Sequence, residues 1–299
     1  MRYRPFGPAA GIVSSLSLVL GDGSGRTRAA DWTALVYAAL ENGINTFEVT
    51  GQEPAIMDGL AQALQAVERR LMFIGWRIGN LATSDGPLRD FSPEGLTRQV
   101  CAILARTGVD YLDAVTLDDP RSEELPQEAL GALADLKASS AVRMTGVAGE
   151  GEAIDAYVCS RAFDVLCTPF NLTSGWKERN RLRQAVEADM AVVGYRAYPA
   201  DFHQAVAAAA KAKTKKGGPL AGMGSYAFLD RTYGWDAEEI CIAYALTETA
   251  LATVLVAPES IKRLEQLANV PDREMPPGLA AQIEMARFAP ETTQVLKSA

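Results

Sequence analysis

The stretch Phe-Ser-Pro-Glu-Gly-Leu-Thr-Arg-Gln-Val (91–100), followed by Thr-Gly-Val-Asp-Tyr-Leu-Asp-Ala-Val-Thr-Leu-Asp-Asp-Pro (107–120) and Ala-Val-Arg-Met-Thr-Gly-Val (141–147), reads helix, strand, helix, strand. Ser92, Pro93 and Glu94 supply an N-cap residue, a proline at the first helical position and an acid in the first turn. Leu96, Val100, Ile103 and Leu104 recur at helical spacing, and Gly108 stops the run. Residues 111–117 form a short apolar run suited to a parallel strand covered on both faces, with Asp118 and Asp119 at its carboxyl end. A helix over 130–138 and a strand over 142–147 complete a crossover between two parallel strands.

The same alternation extends in both directions. A Gly7-Pro8 turn predicts a hairpin, with a first strand within 12–20 that ends at 21–23. Asp31 is placed to cap a helix reaching Leu40. A strand over 44–49 carries Glu48, a helix covers 55–67, and a third strand over 71–76 runs into Arg77. Beyond the central stretch come a helix from Glu152, a strand over 165–168, a helix over 176–188 and a strand over 191–195. Asp201 then caps an alanine-rich helix that fades into a solvated loop over 211–218. A helix over 236–249, a strand over 252–256 and a helix over 260–268 complete the series, and a last short helix comes after Pro276-Pro277. Eight strand–helix pairs predict a (β/α)8 TIM barrel with an N-terminal β-hairpin, forming a single domain over 1–299.

The net charge of −8 argues against a broad nucleic-acid surface and against electrostatic binding to an anionic membrane. Cys101, Cys159, Cys167 and Cys241 lie far apart, with no histidine at ligand spacing, so reduced thiols and no metal site are expected. No signal-like or membrane-spanning run is present, and a cytoplasmic protein is the expectation. His203, the one histidine, reads as a helix-surface residue after the seventh strand, near enough to overhang a pocket.

In such a barrel the working groups sit at the carboxyl ends of the strands. There Glu48, Arg77 and Asp118 converge as two acids around one base. Two readings stay open. One is a buried ion network that keeps the pocket neutral. The other is an anion clamp by Arg77 with a carboxylate of raised pKa as acid or base.

Four stretches carry a resemblance. Met-Arg-Tyr-Arg-Pro-Phe-Gly (1–7), Glu-Asn-Gly-Ile-Asn-Thr-Phe (41–47), Thr-Gly-Val-Asp-Tyr-Leu-Asp (107–113), and Phe-Asp-Val-Leu (163–166) with Pro-Phe-Asn-Leu (169–172) resemble, in order and spacing, the aldo-keto reductases. The resemblance implies NADP(H) as cofactor and an Asp, Tyr, Lys and His that together protonate a carbonyl as hydride arrives. Here Glu48, Arg77 and Asp118 stand at the Asp, Lys and His positions, and the Tyr position, within 51–53, holds no tyrosine. Tyr195 and Tyr198 are the nearest candidates for a replacement. Tyr195 falls on the aromatic that the resemblance implies stacks on nicotinamide, and Arg263 on its phosphate-binding arginine. Ala148-Gly149, Cys167, Ala257-Pro258 and Leu267 replace its other cofactor contacts. These substitutions predict a barrel that has lost conventional carbonyl reduction and acts as a small-molecule-binding or regulatory pseudoenzyme, with an anionic small molecule or a protein as partner. The alternative is an enzyme using Glu48, Arg77 and Asp118, either for altered NADP(H)-dependent redox or for non-redox chemistry on an anionic substrate.

Overall fold

The computed structural model describes residues 1–7, 11–21, 25–83, 86–212, 220 and 223–288. Two short strands, β1 (Tyr3–Pro5) and β2 (Ile12–Ser14), pair antiparallel as the predicted hairpin. The chain then alternates through β3 (Leu16–Leu20), α1 (Ala29–Glu41), β4 (Thr46–Val49), α2 (Pro54–Leu64) and β5 (Phe73–Ile78). A second antiparallel ribbon, β6 (Asn80–Thr83) with β7 (Gly86–Arg89), interrupts the alternation before α3 (Pro93–Thr107) and β8 (Leu112–Asp118). Then come α4 (Gln127–Ala138), β9 (Val142–Ala148), α5 (Glu152–Ser160), β10 (Val165–Pro169), α6 (Trp176–Glu187) and β11 (Ala191–Tyr195). The last part holds α7 (Ala200–Ala212), a 3-10 segment at Gly224–Arg231, α8 (Ala237–Ala245), β12 (Leu251–Val256), α9 (Ile261–Ala268) and α10 (Leu279–Phe288).

Eight parallel strands close into a barrel in the order β10-β11-β12-β3-β4-β5-β8-β9. Alternation along each strand sorts the side chains. Phe47 and Val49, Ile74 and Trp76, and Val115 and Leu117 pack outward with the helices in one large core. The inward positions between them, such as Gly75, Ala114, Gly146 and Ala148, are small and leave room in the lumen for a few large groups. Phe6, in the hairpin, is buried against Phe73 at 4.4 Å between ring centroids and packs with Val165, Ala191 and Ala252. The hairpin therefore stoppers the amino-terminal end of the barrel, and chemistry is left to the other mouth.

The deciding stretch folds as its residues dictate. The Ser92 hydroxyl accepts from the Gly95 amide at 3.1 Å, Pro93 opens α3, and Gly108 ends it with φ of 69°, a conformation open to glycine at little cost. Ser92→Ala is expected to lower stability by about 1 kcal/mol, measurable as a shift in a urea unfolding curve.

Several expectations need correction. Asp31 and Asp201 lie within the first turns of α1 and α7 and are not their caps; Asp31 instead pairs with Arg28 at 2.6 Å. The third strand begins two residues later than expected, because Arg69–Leu71 form a 3-10 turn, and it runs on to Ile78 with Arg77 inside it. α8 stops at Ala245, with Asp236 as its N-cap. Lys211 and Ala212 continue α7, while 213–218, read as a loop, and 22–23, read as the end of the first strand, lie outside the described residues.

Candidate functional site

The carboxyl-terminal mouth of the barrel is built around Arg77. On β5, its inward side chain donates from Nε to Glu48 Oε1 at 2.9 Å, and its Nη1 lies 3.7 Å from Asp118 Oδ1. The Thr116 hydroxyl, inward on β8, reaches the same Glu48 oxygen at 3.4 Å. Gly75 makes room for this carboxylate: a Cβ there would lie 2.5 Å from Glu48 Oε2. The structure therefore brings Glu48, Arg77 and Asp118 together. The Arg77 guanidinium also lies over the Tyr195 ring, 4.9 Å from its centroid.

Burial governs the electrostatics. It pushes the Glu48 carboxyl above its ordinary pKa, and Asp118 adds to the shift while Arg77 opposes it. It also works against the charge on Arg77, but the carboxylates of Glu48 and Asp118 reverse that, so the guanidinium is held protonated. Burial drives the Cys167 thiol up and the Tyr195 phenol up to about 12.

Asn80 is the residue sequence reasoning missed. From β6 it donates to Asp118 Oδ2 at 2.8 Å and to the Asp118 carbonyl at 3.2 Å. Asn80 is itself held by Arg89 of β7, which donates to its Oδ1 at 3.1 Å and pairs with Glu124 at 2.5 Å. The unpredicted ribbon is thus what fixes the third member of the cluster. Its signal in the sequence was the dipeptide Asp85-Gly86, a turn cue that is weak here because the flanking segments lack apolar alternation.

From this centre a cavity of about 300 Å³ opens past Thr50, Tyr195 and Tyr198. A second cavity, of about 600 Å³, lies against α8 and the start of α9 and shares Tyr198, His203, Glu238 and Ala257 with the first. His203 is exposed on α7, with its ring edge-on to Tyr198 at 4.5 Å, so the overhanging position is the one it takes. Arg263 lines the second cavity but is engaged by Asp236 at 2.7 Å and Glu238 at 2.5 Å. Burial alone would raise the Asp236 pKa; Arg263 and the Glu239 amide hold it below the ordinary range. Leu267 is fully buried in the core and does not face the cavity. Among the described residues no group of His, Cys, Asp and Glu could hold a metal ion, and no helix is long and apolar enough to cross a membrane.

A (β/α)8 barrel with a hairpin stopper and a charged cluster at its carboxyl-terminal mouth defines the class. Residues 18–286 match the sequence profile of the Aldo/keto reductase family, and the chain belongs to that family. An aldo-keto reductase from Bacillus halodurans, in its holo form, superposes with a TM-score of 0.79 at 17% identity, covering 98% of this chain and 99% of that one. A Pseudomonas aeruginosa protein assigned to the aldo-keto reductases gives a TM-score of 0.68 at 18% identity, covering 94% and 95%. No curated protein matches the sequence.

Proposed function

We propose that this member of the family has given up conventional carbonyl reduction and acts as a small-molecule-binding or regulatory pseudoenzyme. One observation carries the reading: the centre of the mouth is an ion network in which Arg77 is shared between Glu48 and Asp118. Hydride addition to a carbonyl leaves an oxyanion that needs a proton from a positioned acid, a contribution of about 10²–10⁴ in rate. Arg77 does not release its proton at any working pH. Tyr195 presents its ring to Arg77, and burial moves its phenol to about 12, away from the range of a useful acid at neutral pH.

The cofactor side supports the same reading. Ala148, Gly149, Ala257 and Pro258 bring no side-chain hydrogen-bonding group, Leu267 is buried, and Arg263 is held by two carboxylates. These residues do not fit NADP(H).

Purified protein mixed with NADPH or NADH and a panel of aldehydes and ketones is expected to oxidise nucleotide no faster than the protein-free blank. Saturable turnover with either nucleotide would overturn the reading.

The position of Glu48 favours a second reading, in which the protein is an enzyme. Its buried carboxyl, raised in pKa beside a fixed cation, has the makings of a proton donor to an anionic substrate held by Arg77, with Asp118 as base. In that case Glu48→Gln would abolish turnover of such a substrate while the protein stays folded.

A further inference from the structure

The larger cavity carries four carboxylates, on Asp230, Asp236, Glu238 and Glu259, against a single arginine or lysine among its described lining residues, Arg263. That arginine has no donor left over. Its Nε donates to Glu238 at 3.1 Å; Nη1 donates to Asp236 at 2.7 Å and to Gln266 at 3.3 Å; Nη2 donates to Asp236 at 3.1 Å and to Glu238 at 2.5 Å. A guanidinium has five N–H groups, and these five bonds account for all of them. The Ser260 hydroxyl beside it accepts from the Arg263 amide, and the Pro258 carbonyl accepts from Arg26. A phosphate arriving here would have to displace carboxylates from the guanidinium and then sit beside them as a third anion. A ribose hydroxyl meets the opposite situation, since a carboxylate accepts its proton without charge conflict.

We infer that Asp236 and Glu238 are specificity-determining residues that close this cavity to 2′-phosphorylated nucleotides and favour a ribose with a free 2′-hydroxyl. The assignment goes beyond the loss of catalysis and is separable from it. Turnover with NADH would end the pseudoenzyme reading and leave this one standing.

The test is calorimetric titration of the full chain at low ionic strength with adenosine 2′,5′-bisphosphate and adenosine 5′-monophosphate. The parent protein is expected to bind the bisphosphate more weakly than the monophosphate, or not at all. Asp236→Asn with Glu238→Gln removes both charges while Asn keeps the N-cap of α8. That double variant is expected to gain bisphosphate affinity by about tenfold or more, as a freed guanidinium–phosphate pair provides, while the monophosphate, whose 2′-hydroxyl loses a charged acceptor, does not gain. Circular dichroism checks its fold; Glu238→Gln alone, expected to shift affinity in the same direction, replaces it if it does not fold. Two results would overturn the inference: a parent protein that binds the bisphosphate at least as tightly as the monophosphate, or a folded variant with no gain.

Discussion

Arg77→Met is expected to cost about 3–5 kcal/mol of folding stability, the range for removing one partner of a buried ion pair. Glu48 is 5% exposed, and without Arg77 its carboxylate keeps, among the described residues, only the long 3.4 Å contact with Thr116. Met matches much of the stem of arginine, so the loss reports the charge more than a cavity. Removing both charges, as Arg77→Met with Glu48→Leu, is expected to recover most of the loss, because a buried pair and its apolar replacement are near equal in energy. Asp118, partly exposed and held by Asn80, keeps its own partner in both variants.

The pH dependence has a definite sign. The folded-state pKa of Glu48 is already above its unfolded value and rises further without Arg77. A raised carboxyl gives stability that is fully present below the unfolded pKa and is lost as pH rises through the folded one. The deficit of Arg77→Met should therefore be small in acid, where Glu48 is protonated, and should grow as pH climbs through and above the ordinary carboxylate range. Guanidinium unfolding curves of parent, single and double variants across pH measure all three terms. An Arg77→Met protein within about 1 kcal/mol of the parent at neutral pH would mean that the network is not what holds this mouth together.

The fold was legible because periodicity encodes it. Barrel strands are short apolar runs bounded by turn residues, and the helices between them repeat at helical spacing, so the closed barrel could be counted from 12–20 to 252–256. Glu48, Arg77 and Asp118 were found because each stands at a strand's carboxyl end, where this architecture gathers function. The β6–β7 ribbon escaped because Asn-Leu-Ala-Thr and Gly-Pro-Leu-Arg lack apolar alternation; only Asp85-Gly86 marks it. The capture of Arg263 was illegible for another reason. Asp236 and Glu238 lie 27 and 25 positions away in sequence, and only the fold, which brings the start of α8 within reach of the Arg263 side chain, makes them neighbours. A resemblance identifies an arginine; it says nothing of what already occupies its donors.

Asp113→Ala is expected to cost about 3 kcal/mol or more, and the reason lies in the family-like stretch Thr-Gly-Val-Asp-Tyr-Leu-Asp (107–113). Asp113 sits near the amino-terminal end of β8, where its carboxylate accepts from Arg69 at 2.6 Å, from the Ile74 amide at 2.9 Å and from Arg143 at 3.2 Å. Tyr111 lies between the same two arginines, with their guanidinium carbons 4.2 and 3.7 Å from its ring centroid. One carboxylate thus ties β5, β8 and β9 at the stoppered end of the barrel, far from the mouth. Its removal strands a buried amide and frees Arg69, which is 17% exposed; Arg143, mostly exposed, contributes little. Asp113→Asn should lose less, since its amide oxygen still accepts from Ile74. Stability at this end reads separately from chemistry at the other. The expected outcome is therefore a large drop in the unfolding midpoint with nucleotide and ligand titrations unchanged in the protein that remains folded. A loss of ligand binding without a loss of stability would show that the barrel's two ends are coupled in a way this ion cluster does not explain.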